Sequence, residues 1–220
     1  MSLMFLATRT RPDILKECIF LSSCALSPGR RSFDKLKRVY QYVFGTLDRG
    51  IRLGGSTTQL LIQCDASYAV HLNGRSHTGV VISLSPHSGP IIAKSKMQSL
   101  VTLSSTEAEL VAAVDGVRRA EYLQRTLVEL TFPELPLVLL QDNQSTITII
   151  NNGEGYKGKN RHMRVRYGYL HELLQAHALE LKYTPTHLMV ADLLTKPMGG
   201  EQFRFLRYML MGRDPDEDDT

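Results

Sequence analysis

The chain has 220 residues, 43% hydrophobic and 22% charged, which is apolar material enough for one domain of ordinary size plus a smaller neighbour and excludes a disordered polymer. Its net charge of +4 is uneven: residues 1–55 carry 10 Lys and Arg against 4 Asp and Glu, while residues 56–220 carry 16 against 18. Cys18, Cys24 and Cys64, odd in number and without paired ligand spacing, exclude a disulfide framework and a zinc ribbon, and no apolar run reaches the roughly 18 residues a bilayer span needs.

The first seven residues are too short for a signal core and are followed at once by Arg9 and Arg11. Pro12 suits the first turn of a short helix running to about Cys24, which Pro28-Gly29 breaks. A second helix is expected from a Ser32 cap, with Leu36, Val39, Tyr40, Val43, Phe44 and Leu47 at helical spacing and Gly45 and Gly50 at its end. Residues 54–58, Gly-Gly-Ser-Thr-Thr, read as a linker, beyond which the periodicity changes from helices to strands. A domain boundary is expected there, with a helical segment at 1–55, the main domain at 56–197, a closing helix at 198–212 and a disordered acidic tail at 213–220.

Three strands, at 59–65, 79–84 and 91–94, are separated by Gly, Asn, Ser and Pro clusters and suit an antiparallel meander. Residues 106–130 form a long helix, with Leu110, Ala113, Val114, Val117, Leu123 and Leu127 on one stripe and Pro133 and Pro136 beyond its end. A fully apolar strand at 137–140 leads to Asp142, and 144–150 reads as a short helix or a strand continuation because its β-branched residues favour neither decisively. A polar loop at 151–160, a helix at 162–178, a strand at 179–183, a turn at 185–187 leading into a short helix through Asp192 and Leu194, and a last apolar helix at 203–211 complete the order.

Four acids, Asp65, Glu109, Asp142 and Asp192, stand in four different local settings: two close apolar strands, one lies in the first turn of the long helix, and one interrupts an apolar stretch. A single strand-end Asp is usually a turn residue, but four aimed carboxylates could hold two divalent cations. Ser104 and Glu107 have capping-box spacing, in which the hydroxyl takes the N3 amide and the glutamate reaches back to the cap amide, so Glu107 has a structural task and Glu109 is the better candidate ligand.

The element order resembles the ribonuclease H fold. The segments Cys64-Asp65-Ala66-Ser67-Tyr68-Ala69, Leu103-Ser104-Ser105-Thr106-Glu107-Ala108-Glu109, Gln141-Asp142-Asn143 and Ala191-Asp192-Leu193-Leu194-Thr195-Lys196-Pro197 are similar to the ribonuclease H domain of copia-type retrotransposon Pol polyproteins. Upstream, Thr10-Arg11-Pro12-Asp13-Ile14, Leu36-Lys37-Arg38-Val39 and Gly45-Thr46-Leu47-Asp48 resemble the connection between the polymerase of such an element and its nuclease.

The resemblance implies an α/β, ribonuclease H-like fold: a mixed five-stranded sheet flanked by helices and preceded by a small helical segment. It implies a ribonuclease that cuts the RNA strand of RNA–DNA hybrids with two Mg²⁺ ions, or Mn²⁺ in their place, held by Asp65, Glu109, Asp142 and Asp192. Lys157, Lys159, Arg161, Arg164, Arg166 and Lys196 are the expected phosphate contacts, with Lys94 and Lys96 weaker candidates; a solvated helix end explains the same cluster, and Lys196 can equally pair with a neighbouring acid. His187, in the turn before Asp192, and Glu107 are candidate auxiliaries, and Arg164 departs from the acid of the family's His-Ile-Asp motif at His162.

The expected partners are the hybrid and the remainder of a Pol polyprotein, without a membrane, in the cytoplasm or a virus-like particle, or in the nucleus. The only adjacent aspartate pair, Asp218-Asp219, lies in the tail, so no polymerase activity is expected, and a truncated element, a fragment or a remnant frame all fit. Two alternatives remain: an integrase or transposase on the same fold, disfavoured because its glutamate normally comes last among the acids, and a catalytically inactive hybrid-binding relic.

Overall fold

The computed structural model of the chain describes residues 2–54, 59–153 and 161–213. Lys157 and Lys159, most of the 54–58 linker and nearly all of the acidic tail lie outside the described residues. A single five-stranded mixed sheet, ordered β3-β2-β1-β4-β5, organises the molecule. Strands β1 (Leu60–Ser67), β2 (His77–Ser83) and β3 (Ile92–Met97) form the antiparallel meander, and β4 (Leu137–Gln141) and β5 (Leu179–Tyr183) add in parallel to β1. This is the mixed five-stranded architecture with flanking helices and a helical lead-in that the resemblance implied. Asp65 is not at the strand end as expected, since β1 continues through Ser67 by pairing with His77.

Strand alternation sends side chains to two cores. On one face Leu60, Ile62, Cys64, Val80 and Ile82 pack under α4 (Ser105–Glu129), α5 (Gln144–Asn152) and α6 (Arg161–Gln175). On the other, Val81 joins Ala7, Leu15, Val39, Leu194, Leu206 and Leu210, so that α1 (Ser2–Arg9), α2 (Leu15–Ser23), α3 (Arg30–Phe44) and α7 (Gly200–Leu210) share one cluster with a short 3-10 helix at Val190–Leu194.

Local expectations gave way at particular residues. The opening residues, considered only as a leader, form α1, whose Ala7 is fully buried in the second core. Pro12 begins a 3-10 turn rather than an α-helix, and α2 follows at Leu15. Ser32 does not cap α3: the helix starts at Arg30 from an extended Gly29, and the Ser32 amide already donates to the Gly29 carbonyl, placing Ser32 inside the first turn. The ambiguous 144–150 stretch is helical because the Asn143 side chain accepts from the Thr146 amide at 2.9 Å, a cap that outweighs the β-branched residues behind it.

Two of the three upstream motifs, at 10–14 and 45–48, meet in space. Buried Arg11 holds Asp13 through Nε at 3.0 Å and Nη2 at 2.8 Å, and its Nη1 donates to the Thr46 carbonyl at 2.7 Å. Tyr42 Oη donates to the same Asp13 at 2.6 Å, and burial together with that carboxylate pushes the phenol up to about 12. Each member has its partners, the condition under which a buried ion pair is tolerated.

On β2, buried His77 is held neutral: burial first, then the neighbouring His71, lower its pKa from 6.5 to about 4. The unfolded chain protonates it below pH 6.5 while the folded one resists until about 4. Its contribution to stability is therefore present above 6.5 and is lost as pH falls through that window. Urea unfolding of the wild type is expected to lose about 2 kcal/mol more than His77→Gln between pH 7.5 and 4.5. Equal losses in the two proteins would contradict the neutral buried imidazole.

Candidate active site

Two neighbouring strands, one helix start and one 3-10 turn bring the four acids to one edge of the sheet. Asp65 is on β1 and 1% exposed, Asp142 follows β4, Glu109 lies near the start of α4, and Asp192 sits in the Val190–Leu194 turn. The parallel pairing of β1 with β4 places the Asp65 and Asp142 ends side by side.

The mutual approach is visible in their electrostatics. Burial, then the charges of Asp65 and Asp142, raise the Glu109 carboxyl well above the usual range, with the Ala66 backbone amide and Lys196 opposing. Burial and Asp65 raise Asp192 to about 7, against the pull of Lys196. Carboxylates that cannot all ionise together without a cation between them are the recurrent signature of a site built for charge.

Lys196 supplies a cation within the chain. Its Nζ lies 3.0 Å from Asp65 Oδ1 and 2.8 Å from Asp192 Oδ1, so of its two sequence-based roles the structure shows pairing with the acids. Burial works against its charge, but Asp65 and Asp192 overcome this and raise its pKa. Thr195 Oγ1 donates to the other oxygen of Asp65, and Gln63 Oε1 accepts the Val190 amide at 2.7 Å, pinning the turn to β1. The Asp65 contacts of Thr195 and Lys196 and the Gln63 contact do not follow from local sequence, because they join residues 130, 131 and 127 positions apart. The Lys196–Asp192 pair, four residues apart, is the neighbouring-acid pairing that the sequence offered.

The two glutamates diverge. Ser104 Oγ accepts the Glu107 amide at 3.1 Å, as the capping box requires, but Glu107 Oε2 accepts from the Leu103 amide at 2.8 Å, one residue before the cap. Glu109 points instead toward Asp65 and Asp142, and its buried Oε2 lacks a hydrogen-bond partner.

The remaining candidates sit around this cluster. Thr186 Oγ1 donates to Asp142 Oδ2 at 2.9 Å, and the neighbouring His187 is exposed, its carbonyl accepting from Gln202 Nε2. Arg161 and Arg164 are exposed on the first turns of α6, and Arg166 folds back onto the His162 carbonyl at 3.0 Å. Lys96 is paired with Asp115 at 2.9 Å, beside the Arg119 contact to the same acid.

The donor set fits a hard divalent cation. It consists of carboxylate oxygens, and the orphaned buried Glu109 Oε2 is an acceptor that a cation would satisfy. Among the described residues no three ligating side chains already surround a common point, and Lys196 occupies the gap between Asp65 and Asp192. No helix of the described residues is long and apolar enough to cross a membrane.

No protein-family model matches the chain. It is 31% identical over 210 residues to the retrovirus-related Pol polyprotein from transposon TNT 1-94 of Nicotiana tabacum, covering 95% of this chain and 16% of the relative. It is 32% identical over 206 residues to the Pol polyprotein from transposon RE2 of Arabidopsis thaliana, covering 92% of this chain and 14% of the relative. To the transposon Ty1-ER2 Gag-Pol polyprotein of Saccharomyces cerevisiae it is 28% identical over 208 residues, covering 92% and 12%. The chain therefore spans 12–16% of the length of these relatives. A solved ribonuclease H1 isolated from compost superposes on 63% of this chain and 93% of its own, with 18% identity and a TM-score of 0.47.

Proposed function

We propose that this chain, which belongs to the copia-type retrotransposon Pol polyprotein family over nearly its whole length, is a divalent-metal-dependent ribonuclease acting on the RNA strand of RNA–DNA hybrids. The observation that carries the reading is the convergence of Asp65, Glu109, Asp142 and Asp192, from four separate elements, on one sheet edge where burial and the neighbouring carboxylates raise the pKa of Glu109 and Asp192. A set of oxygen ligands of this kind is far more than the strands and helices need for stability.

Asp65, Glu109, Asp142 and Asp192 would hold Mg²⁺ or Mn²⁺, which when bound activates water and stabilises a leaving oxygen in phosphodiester hydrolysis. The chain's own contributions are positional. Thr195 orients Asp65, Thr186 orients Asp142, and the Gln63 contact fixes the turn that carries Asp192. Arg161 and Arg164, exposed on α6, would meet the phosphates of the hybrid in a sequence-independent manner. No side-chain nucleophile is required, so no Ser, Cys or His in the cluster has to carry a covalent intermediate.

Incubation of the chain with an end-labelled hybrid and Mg²⁺ or Mn²⁺ tests this directly. Cleavage of the RNA strand is expected, reduced by at least about 10³-fold in Asp142→Asn. Undiminished cleavage by Asp142→Asn would remove that residue from the site. A wild-type chain that binds hybrid without cutting it under either metal would identify an inactive binding relic instead.

A further inference from the structure

We infer that His77 and Ser95 are positioning residues for the Asp192 side of the site, fixing the Leu194 carbonyl and with it the 190–196 segment that carries Asp192, Thr195 and Lys196. The inference rests on the proposed reading of Asp192 as a metal ligand. It concerns two side chains for which neither the acid cluster nor the phosphate contacts have a use.

The direction of each hydrogen bond from His71 through His77 and Ser95 to Leu194 can be assigned. The Leu194 carbonyl can only accept, so the Ser95 hydroxyl donates to it, at 2.7 Å. Ser95 Oγ is then left to accept, and the group facing it at 2.8 Å is His77 Nε2, which must carry a hydrogen. A neutral imidazole protonated on Nε2 has a bare Nδ1, and His77 Nδ1 receives its bond at 3.0 Å from His71 Nε2. The result is a one-way relay from half-buried His71 on the β1–β2 loop, through buried His77 and Ser95, to the backbone beside Asp192.

The sheet is shaped to receive that backbone. Ser95 is the register partner of Gly79, and a Cβ at Gly79 would come within 2.7 Å of the Ala191 carbonyl and 2.8 Å of Thr195 Cγ2. Glycine thus lets the segment press against β2, and serine on β3 grips it. Gln63 on β1 holds the other end through the Val190 amide, so the two clamps bracket Asp192 at positions 190 and 194. Ser95 and His77 are 4% and 5% exposed, and a core with no positioning task would fill such places with apolar side chains at no desolvation cost. Partners of this kind behind metal-ligating residues change metal affinity by about 10–100-fold when removed.

The test is Mn²⁺ titration calorimetry on the whole chain, beside hybrid cleavage, for Ser95→Ala and Ser95→Thr. Ser95→Ala is expected to raise the Mn²⁺ Kd about tenfold with an unchanged KM for hybrid and an unchanged far-UV spectrum, and Ser95→Thr, which keeps the hydroxyl, to recover most of the affinity. Imidazole nitrogen shifts of the wild-type protein are expected to report His77 protonated on Nε2 and bare on Nδ1. A folded Ser95→Ala with wild-type Mn²⁺ affinity, or a His77 protonated on Nδ1, overturns the inference. Mn²⁺ binding that weakens in Ser95→Ala while the wild type fails to cut hybrid overturns the nuclease reading and leaves the positioning role standing. A wild-type chain that binds no Mn²⁺ overturns both.

Discussion

Gly116→Ala is expected to destabilise the protein by about 3 kcal/mol, although alanine is intrinsically the better helix former by about 1 kcal/mol. The added Cβ would lie 2.2 Å from Cys64 Sγ and 3.1 Å from Ile62 Cγ2 on β1, with Val80 Cγ1 on β2 behind them at 3.5 Å. Ile62, Cys64 and Val80 are fully buried, so the strand cannot yield and α4 must lift away from the sheet. Because Glu109 rides on the same helix, the loss should extend to the acid cluster. Urea unfolding checks the stability, and the Mn²⁺ Kd checks the site. The double variant Cys64→Ala/Gly116→Ala is expected to be more stable than the sum of its two single changes predicts, since removing Sγ makes the room that Cβ needs. Strict additivity would mean that α4 and β1 do not meet at this point.

This contact illustrates what could be read from the chain and what could not. The Leu110, Ala113 and Val117 stripe of α4 was legible because helical periodicity is local, as was the alternation that set β1 and β2. The glycine between those stripe residues carries no periodic signal, and its reason lies on a strand more than fifty residues earlier. Three of the acids were legible for the same local reason, since Asp65 and Asp142 end apolar runs and Asp192 interrupts one, while Glu109 was legible from the capping-box spacing beside it. Their partners were not. Thr195, Gln63, Ser95 and His77 are ordinary polar residues in the sequence and acquire roles only when β1, β2, β3 and the 190–196 segment come together. Ser32 misleads for a different reason, because a serine three residues after the extended Gly29 that starts α3 offers the stronger N-cap residue type. Helix α1 carries no such signal, since its burial depends on α2 and the Pro12–Ile14 turn, and eight residues alone nucleate no stable helix.

Lys196→Met should separate the two roles the sequence offered for Lys196. As a built-in counter-ion it neutralises Asp65 and Asp192, whose side chains are 1% and 4% exposed, while its own side chain keeps 38% of its exposure. Removing it leaves two buried carboxyls facing each other. With Asp192 already raised to about 7, one of the pair will hold a proton near neutrality, and the residual exposure of the lysine limits the loss further. The expected destabilisation of the metal-free protein is therefore about 1–3 kcal/mol, below the 3–5 kcal/mol typical of breaking a fully buried pair. The effect on metal binding should have the opposite sign. A divalent cation must take the oxygens that Nζ now holds, so the variant loses a competitor and its Mn²⁺ Kd should fall by at least about tenfold, or about 1.4 kcal/mol. Added Mn²⁺ should then restore more stability to the variant than to the wild type, by simple linkage. A lysine serving only as a phosphate contact predicts otherwise: unchanged Mn²⁺ affinity, unchanged unfolding, and weaker hybrid binding with a shallower salt dependence. Calorimetry, urea unfolding and a salt series on the same variant decide between the two.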